Sequence, residues 1–457
     1  MPAAVRPDGS SRRILEAKPV FKTKPMLVLK FGGTSVSSVE NWQRISDILK
    51  KRLSEFDDSV KIVVVHSALS GVTDKLQKCL AQTMERRPSS RGATASGIGP
   101  HDNVRPAGTH RQTLNEIMVQ HQELADALGI AYTDAQALLD PYRTELGRIL
   151  EGASMISEVS PRTQARVVAM GELMSTSLGA VYLQKVLGRE QVVWLEAREL
   201  LRSSTPPRGS PAAAEFLSAV CSADPDRQLQ VKLSDATQRV FITQGFIAAN
   251  TAGDTVLLGR GGSDTSGSYI ASLLQAKRLE IWTDVPGMFT ANPRMVPGAR
   301  MIRELSHDEA HELASTGAKV LHPRCIGPVA KHGIPICVCD TFRPLLNGTV
   351  ISNVDSKCAV VKAISVRHGV TIVNLDHGMS GKVGFFANVF RVFKEHGLSV
   401  DLVSTSKNSV TVSLDPESMG QDGSTRLETC ESDLSEICPK VRILTDCAYS
   451  NSSLYNV

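Results

Sequence analysis

Short apolar runs rich in Val, Ile and Leu alternate with longer segments of helical periodicity through most of the chain. The apolar runs predict strands over 26–31, 61–67, 191–197, 239–248, 255–259, 279–284 and 334–340. The periodic segments predict helices, among them 38–53, 113–128, 161–187 and 264–276. Continuous apolar strands separated by helices are typical of a mostly parallel sheet that is covered on both faces. We therefore expect a three-layer α/β domain over residues 26–353.

The pattern changes from about residue 360. The stretch "GVTIVNLDHGMSGKVGFFANVFRVF" predicts a strand, a glycine turn and an amphipathic helix, and a hairpin of two strands follows it. The segments "LETCESDLSEI" and "KVRILTDCAY" predict a second helix and a fourth strand. This βαββαβ order predicts a small α+β domain over 360–457, joined to the first by the linker "SNVDSKCA".

Two segments interrupt these patterns. Residues 1–25 form an N-terminal extension without the apolar core of a secretory signal, so we expect a cytoplasmic protein. The alternative is a transit peptide for a plastid or other organelle, because the extension holds Arg, Ser and Lys with only Asp8 and Glu16. Residues 86–110 are rich in Gly, Pro and Ser and predict a flexible surface insertion.

Composition narrows the class of protein. The chain has 457 residues, of which 42% are hydrophobic and 21% charged, as in ordinary globular proteins. A net charge of +4 offers no case for nucleic acid or an anionic membrane, and no apolar run reaches the roughly 18 residues of a membrane-spanning helix. The nine cysteines include no CxxC pair, which predicts reduced thiols and neither disulfides nor a zinc site.

The first candidate for chemistry is "LVLKFGGTS" at 27–35, where a strand ends in Lys30, Gly32 and Gly33 and a helix follows from about Ser38. Backbone N–H groups and an ammonium at a helix entry make an anion site. The alternative is an ordinary tight turn with a solvated lysine. The nucleotide-binding patterns GxxxxGK[ST], HRD and DFG are absent from the chain.

A second segment, "LLGRGGSDTSG" at 257–267, repeats this arrangement with Arg260, Ser263 and Asp264. Asp264 also suits the first helical turn for purely electrostatic reasons. Two glycine-rich strand ends in one parallel sheet would face a common crevice at the carboxyl ends of the strands. Together they predict a site for a phosphate donor and an anionic acceptor.

These motifs, with "GELMST" at 171–176, "IWTDVPGMFTANPR" at 281–294 and "GAKVLHP" at 317–323, resemble those of the aspartokinases in the amino acid kinase family. The resemblance runs from about residue 26 to 450 and is closest to the lysine-pathway branch, including kinases fused to diaminopimelate decarboxylase. It implies the amino acid kinase fold and transfer of a phosphoryl group from ATP to the side-chain carboxylate of L-aspartate. The product, 4-phospho-L-aspartate, starts lysine, threonine and methionine biosynthesis.

The resemblance also implies the residues at the donor side of the reaction. Lys30 and Lys319 would contact the transferred phosphate, and Asp264 would hold both lysines in place. Gly32 and Gly33 would supply backbone donors, which suits phosphoryl transfer because it requires mainly positioned positive charge. The remaining nucleotide-binding residues implied are Thr283, Asp284, Arg294 and Phe289, the last standing where many relatives have tyrosine.

At the acceptor side, the resemblance implies that Arg260 takes the α-carboxylate of aspartate in a forked pair and that Glu172 takes the α-ammonium. Ser67, Thr73 and Ser263 would lie near the substrate. Leu69 departs from the small residue that is commoner at its position. No cofactor other than Mg²⁺ carried by ATP is expected.

The C-terminal domain resembles an ACT domain, a unit that senses amino acids. Family patterns place an effector, lysine being the first candidate, near Met379, Phe385, Ser399, Val400 and Asp401. A second ACT unit is expected to be absent apart from a preceding strand, "KAISV", and the complete enzyme is expected to be a homodimer.

Two alternatives to an aspartate kinase remain open at this point. The chain could be another amino acid kinase, such as a glutamate kinase, or a non-catalytic subunit that senses amino acids. His307 and His311 form an i,i+4 pair, but the HExxH order is missing, so no resident metal is expected.

Overall fold

A computed structural model describes residues 24–56, 60–84, 109–207, 209–318, 320–353, 361–376, 384–406, 409–414 and 423–452. Most of the N-terminal extension, the predicted insertion and the linker lie outside these ranges. Residues 109 and 110, placed in the insertion by the sequence, begin a helix. Among the described residues, no helix is both long and apolar enough to cross a membrane.

The N-terminal domain, up to residue 353, is organised around a sheet of eight strands. Its strands and those of a small hairpin are β1 (Met26–Phe31), β2 (Lys61–His66), β3 (Val192–Leu195), β4 (Val240–Gln244), β5 (Ile247–Ala249), β6 (Thr255–Leu257), β7 (Arg278–Thr283), β8 (Glu304–Ser306), β9 (Ile336–Asp340) and β10 (Thr349–Ser352). The order in the large sheet is β3-β4-β2-β1-β7-β9-β10-β8, and all neighbours are parallel except β9 and β10. The mostly parallel sheet predicted from the sequence is thus confirmed.

Helices cover both faces of this sheet, and the alternation of residues in the strands explains why. In β1, Leu27, Leu29 and Phe31 belong to one hydrophobic core, whereas Met26 and Val28 belong to the other. Every residue of β1 and β2 is buried, as expected for central strands of a three-layer domain. The helices are α1 (Val39–Glu55), α2 (Val72–Met84), α3 (Thr109–Ala127), α4 (Tyr132–Ile156), α5 (Pro161–Leu187), α6 (Ala197–Leu200), α7 (Ala212–Leu217), α8 (Arg227–Asp235), α9 (Gly262–Leu274), α10 (His307–Ser315) and α11 (Ile326–Ala330), with 3-10 helices at Gly33–Val36 and Pro323–Cys325.

Two details of the predicted sheet are wrong. The strand predicted over 239–248 is broken between β4 and β5, because Phe246 has a left-handed φ of 69° and turns the chain out of the large sheet. As a result β6 pairs with β5 in an antiparallel hairpin and is not a strand of the parallel sheet. The short strand β10 and the edge strand β8 were not predicted.

The C-terminal part contains β11 (Ile364–Asp376), α12 (Phe385–Glu395), β12 (Val400–Thr405), β13 (Ser409–Leu414), α13 (Gly423–Ile437) and β14 (Lys440–Ser452). These strands form an antiparallel sheet in the order β12-β13-β11-β14, which agrees with an ACT-like βαββαβ fold. The segment "KAISV" is not a separate strand, because most of it forms the start of the 13-residue β11 and pairs with β14.

The beginning of β11 and the residues before it contact the N-terminal domain. Ser365 donates a hydrogen bond of 2.8 Å to the hydroxyl of Thr316, which ends α10. The backbone N–H of Ile364 donates to the carbonyl of Thr290 over 2.8 Å. Lys362 lies 2.5 Å from the carboxylate of Glu309, whose side chain is only 2% exposed. The C-terminal sheet is therefore anchored beside the loop that leads to residue 319.

Candidate active site

The carboxyl ends of β1 and β2 and the beginning of α9 enclose a cavity of about 590 Å³. Residues from α5 and from the turn between β6 and α9 complete its wall. Although β6 does not belong to the large sheet, the hairpin returns the chain so that both glycine-rich segments face this space. The cavity brings together nine of the residues singled out from the sequence, namely Lys30, Gly32, Gly33, Ser67, Thr73, Glu172, Arg260, Ser263 and Asp264.

The centre of the cavity contains an ion pair. Lys30 Nζ lies 2.5 Å from Asp264 Oδ1, and the two side chains are 10% and 15% exposed. Lys30 comes from the end of β1, whereas Asp264 lies in the first turn of α9. The carboxylate thus holds the ammonium at the cavity wall, where it can face a negatively charged ligand.

The glycine at position 33 is required by close packing. A Cβ at Gly33 would lie 2.9 Å from the carbonyl oxygen of Ala68, so any side chain would force the two loops apart. The backbone of the loop after β1 therefore lies directly against the segment 67–70, which follows β2. Ser67 is held in the same place, because its N–H donates to the carbonyl of Phe31 over 3.3 Å.

Glu172 is a buried carboxylate in the middle of α5, with only 2% of its surface exposed. Its Oε1 accepts a long hydrogen bond of 3.5 Å from the N–H of Ala68, and Oε2 has no partner among the described residues. Burial raises the pKa of Glu172 from 4.5 to about 8, because the charged form loses its hydration. A cationic group bound in the cavity would supply the missing partner.

Arg260 lies in the exposed turn between β6 and α9, flanked by Gly259 and Gly261, whose φ angles are 75° and 62°. These left-handed conformations favour glycine and explain the Gly-Arg-Gly sequence. Ser263 and Thr73 lie in the first turns of α9 and α2 and complete this side of the cavity.

Of the other residues predicted to bind the nucleotide, those that the structure describes do not line this cavity. Thr283 ends β7, next to β1, and its hydroxyl donates to Asp284 Oδ1 over 3.2 Å. The N–H of Gly32 donates to the carbonyl of Trp282 over 3.4 Å, so the end of β7 adjoins the glycine loop. Phe289 is half-buried and Arg294 exposed in the following loop, and Lys319 lies outside the described residues.

The sequence pattern that defines the amino acid kinase family matches residues 25–340 of this chain. The chain belongs to the amino acid kinase family. This amino acid kinase is 33% identical over 427 residues to the lysine-sensitive aspartokinase 3 of Escherichia coli. The alignment covers 90% of this chain and 84% of that protein.

The structure of this chain is also similar to solved structures of aspartokinases. The crystal structure of E. coli aspartokinase III in complex with aspartate and ADP, in the R-state, matches with a TM-score of 0.73 and 30% identity over 93% of this chain and 86% of that one. The complex with lysine and aspartate, in the T-state, matches over the same shares with a TM-score of 0.64. The amino acid kinase fold expected from the sequence is therefore confirmed.

Several residues of the cavity wall were missed by the sequence analysis, among them an aromatic one. Phe246 lines the cavity, and its N–H donates to the hydroxyl of Ser266 in α9 over 2.8 Å. A Cβ at Gly262 would lie 2.4 Å from the ring of Phe246, so the ring covers the beginning of α9. The Gly-Phe pair inside an otherwise β-branched run was the available signal for this turn.

In the C-terminal sheet of this amino acid kinase, the residues predicted to bind an effector lie in different environments. Asp401 Oδ2 accepts a hydrogen bond of 2.6 Å from Arg367 on β11, a partner that the sequence analysis did not consider. Phe385 is buried in the hydrophobic core of this domain, and Ser399 and Val400 lie at the beginning of β12. Met379 lies outside the described residues.

Proposed function

We propose that this amino acid kinase is an aspartate kinase, which transfers the γ-phosphoryl group of ATP to the side-chain carboxylate of L-aspartate. The observation that carries this conclusion is a cavity in which the Lys30–Asp264 pair and the buried Glu172 lie together, in a chain that is similar over 93% of its length to an aspartokinase structure with aspartate and ADP. The product is 4-phospho-L-aspartate.

At the acceptor end of the cavity, Glu172 binds the α-ammonium of aspartate. The carboxylate is buried, and one of its oxygens has no partner in the described part of the chain. An ammonium ion replaces the lost hydration and lowers the pKa of Glu172 again. Arg260, on the exposed turn, receives the α-carboxylate, for which the planar guanidinium is suited.

At the donor end, Lys30 and the N–H groups near Gly32 and Gly33 stabilise the negative charge that spreads over the transferred phosphoryl group. Lys319, which lies outside the described residues, is expected from the resemblance to stabilise the same charge. The ribose and base of ATP extend toward Thr283, Asp284 and the loop that contains Phe289 and Arg294, and Mg²⁺ arrives with the nucleotide as its counter-ion.

The transfer itself needs no general base. A carboxylic acid side chain with an ordinary pKa near 4 is already ionised at neutral pH, so its oxygen attacks the phosphorus directly and in line. The cavity therefore has to position two anions against each other and reduce their repulsion. The Lys30 ammonium, fixed by Asp264, is suited to that task.

An assay of ADP release and hydroxamate formation tests this function. Aspartate should give stoichiometric ADP and aspartyl hydroxamate, whereas glutamate and a reaction without acceptor should give only background. Transfer to glutamate at a comparable rate would support the glutamate kinase alternative. A complete lack of ADP release would support the non-catalytic sensing subunit.

The C-terminal sheet is proposed to sense lysine in a homodimer. The relative aligned over 90% of this chain is named lysine-sensitive, and one similar structure contains lysine. Strand β12 forms an edge of the sheet, and its Leu402 and Val403 are 46% and 47% exposed, which leaves a surface for a second copy.

A further inference from the structure

Arg324 forms three hydrogen bonds to segments that are distant from it in the sequence. It lies in the 3-10 helix Pro323–Cys325, and its guanidinium donates to the carbonyl of Leu258 over 2.6 Å. The same group donates to the carbonyl of Ala219 over 3.0 Å and to the hydroxyl of Ser218 over 3.2 Å. Arg324 therefore fastens the end of β6 to the segment after α7.

The segment around Arg324 is in direct contact with the turn that carries Arg260. A Cβ at Gly259 would lie 2.8 Å from Arg324 Nη1, and a Cβ at Gly261 would lie 2.2 Å from the Cβ of His322. Both glycines of the Gly-Arg-Gly turn thus lie against 322–324. Arg260 itself is exposed, whereas the two half-buried glycines beside it pack against 322–324, so this contact fixes the backbone on both sides of Arg260.

The same 3-10 helix also supports α9. The hydroxyl of Ser268 donates to the carbonyl of Cys325, which is fully buried. The beginning of α9 provides Asp264, the partner of Lys30. The segment 322–325 therefore contacts both the Gly-Arg-Gly turn and α9, the helix that carries Asp264. This segment follows Lys319 closely in the sequence.

We propose that Arg324 is a positioning residue for the aspartate side of the cavity, an inference that rests on the proposed aspartate kinase function. Arg324 does not line the cavity. It holds the backbone at Leu258 so that the next residues present the guanidinium of Arg260 to the α-carboxylate. Arginine is required because its planar group reaches three acceptors at once, whereas lysine offers a single point of charge.

The test compares Arg324→Lys with the wild-type enzyme. A substrate-binding group displaced by roughly 1 Å costs about 10²-fold in rate, so we expect the KM for aspartate to rise at least about tenfold in R324K. The KM for ATP should stay within about twofold of its wild-type value, because the three acceptors of Arg324 belong to the segments 218–219 and 258 and not to the ends of β1 and β7. Equal rises of both constants, or no change in either, would overturn the proposal.

Arg303→Lys is the matched control. Arg303 also donates to a backbone carbonyl, that of Asn347 over 2.6 Å, and like Arg324 it does not line the cavity. Its acceptor is distant from the Gly-Arg-Gly turn in the sequence. R303K should keep both Michaelis constants near their wild-type values. If R303K raised the KM for aspartate as much as R324K did, the rise would be a general effect of replacing an arginine, and the positioning role of Arg324 would be overturned.

Hydrogen exchange provides a second readout that needs no catalysis. In R324K the amides of 258–262 should exchange faster than in the wild type, whereas those of β1 should be unchanged. Unchanged exchange in the turn, or loss of cooperative unfolding in R324K, would overturn the positioning role. Absence of aspartate-dependent ADP release in the wild type would instead overturn the proposed function. The exchange rates of 258–262 would still show whether Arg324 holds the turn, so the two failures are distinguishable.

Discussion

Lys30 and Asp264 are joined by an ion pair of 2.5 Å, although one ends a central strand and the other begins a helix more than half the chain away. Such a pair requires both glycine-rich segments to be in their final positions. In the proposed function, this pair marks the place where the negative charge of a bound phosphate is stabilised.

Removal of the lysine tests that role. We expect Lys30→Ala to lower turnover by about 10²-fold or more, because the charge that develops in phosphoryl transfer loses a fixed cation. Steady-state kinetics with saturating ATP and aspartate would measure this. Lys50→Ala is the control, since Lys50 is half-exposed on α1 and lies 3.8 Å from Asp47. Near-normal turnover in purified, folded Lys30→Ala would contradict the assignment.

Glu172→Gln keeps the shape of the side chain and removes its charge. If Glu172 faces the substrate ammonium, the KM for aspartate should rise by about tenfold or more, and the KM for ATP should change far less. The control Glu145→Gln alters a surface carboxylate paired with Arg166 and should behave as the wild type. A parallel rise of both constants would show that Glu172 is structural.

The raised pKa of Glu172 predicts proton release on binding. With a pKa of about 8 in the empty cavity, Glu172 is mostly protonated at pH 7. A bound ammonium lowers this pKa, so aspartate binding at pH 7 should release close to one proton, and at pH 9 almost none. Calorimetry in buffers of different ionisation enthalpy measures this number. Glu172→Gln should abolish the release, and an unchanged release in that variant would assign the proton to another group.

The ion pair between Arg367 and Asp401 predicts an effect on inhibition by lysine. If Asp401 binds the effector ammonium, lysine has to displace Arg367 first. Arg367→Gln should therefore lower the half-inhibitory lysine concentration by roughly 1.4- to fivefold, because a partly exposed ion pair contributes about 0.2–1 kcal/mol.

Titration of activity with lysine measures this shift. Arg391→Gln is the control, since Arg391 is exposed on α12 and hydrogen-bonds only weakly, over 3.3 Å, to Asn388. A higher half-inhibitory concentration in Arg367→Gln would mean that the arginine itself helps to bind the effector.

The sequence predicted β1 and α5 to the residue and β7 within one residue, because apolar runs and the Ser-Pro start of α5 are local signals. It could not predict that β6 leaves the parallel sheet, since that depends on one left-handed residue, Phe246. The partner of Asp401 was also inaccessible, because Arg367 comes from a strand whose register depends on the whole C-terminal sheet.

The candidate site shows the same division between local and distant signals. Motifs placed Lys30, Glu172 and Asp264 in one cavity, because each lies in a segment whose structure is set by its own sequence. The supporting contacts of Arg324 involve acceptors about a hundred and about sixty residues away along the chain. Single-sequence patterns carry no information about such contacts.

The anchoring of β11 changes where the catalytic unit ends. Glu309 is buried in α10 and has Lys362 as its cation, and Thr316, three residues before Lys319, is bound by Ser365. A protein cut at the linker near residue 353 would lose both partners, and the buried carboxylate of Glu309 would keep its hydrogen bond from the N–H of Ser306 but lose its cation. The smallest fragment that keeps these contacts of α10 therefore reaches into β11, to about Val366.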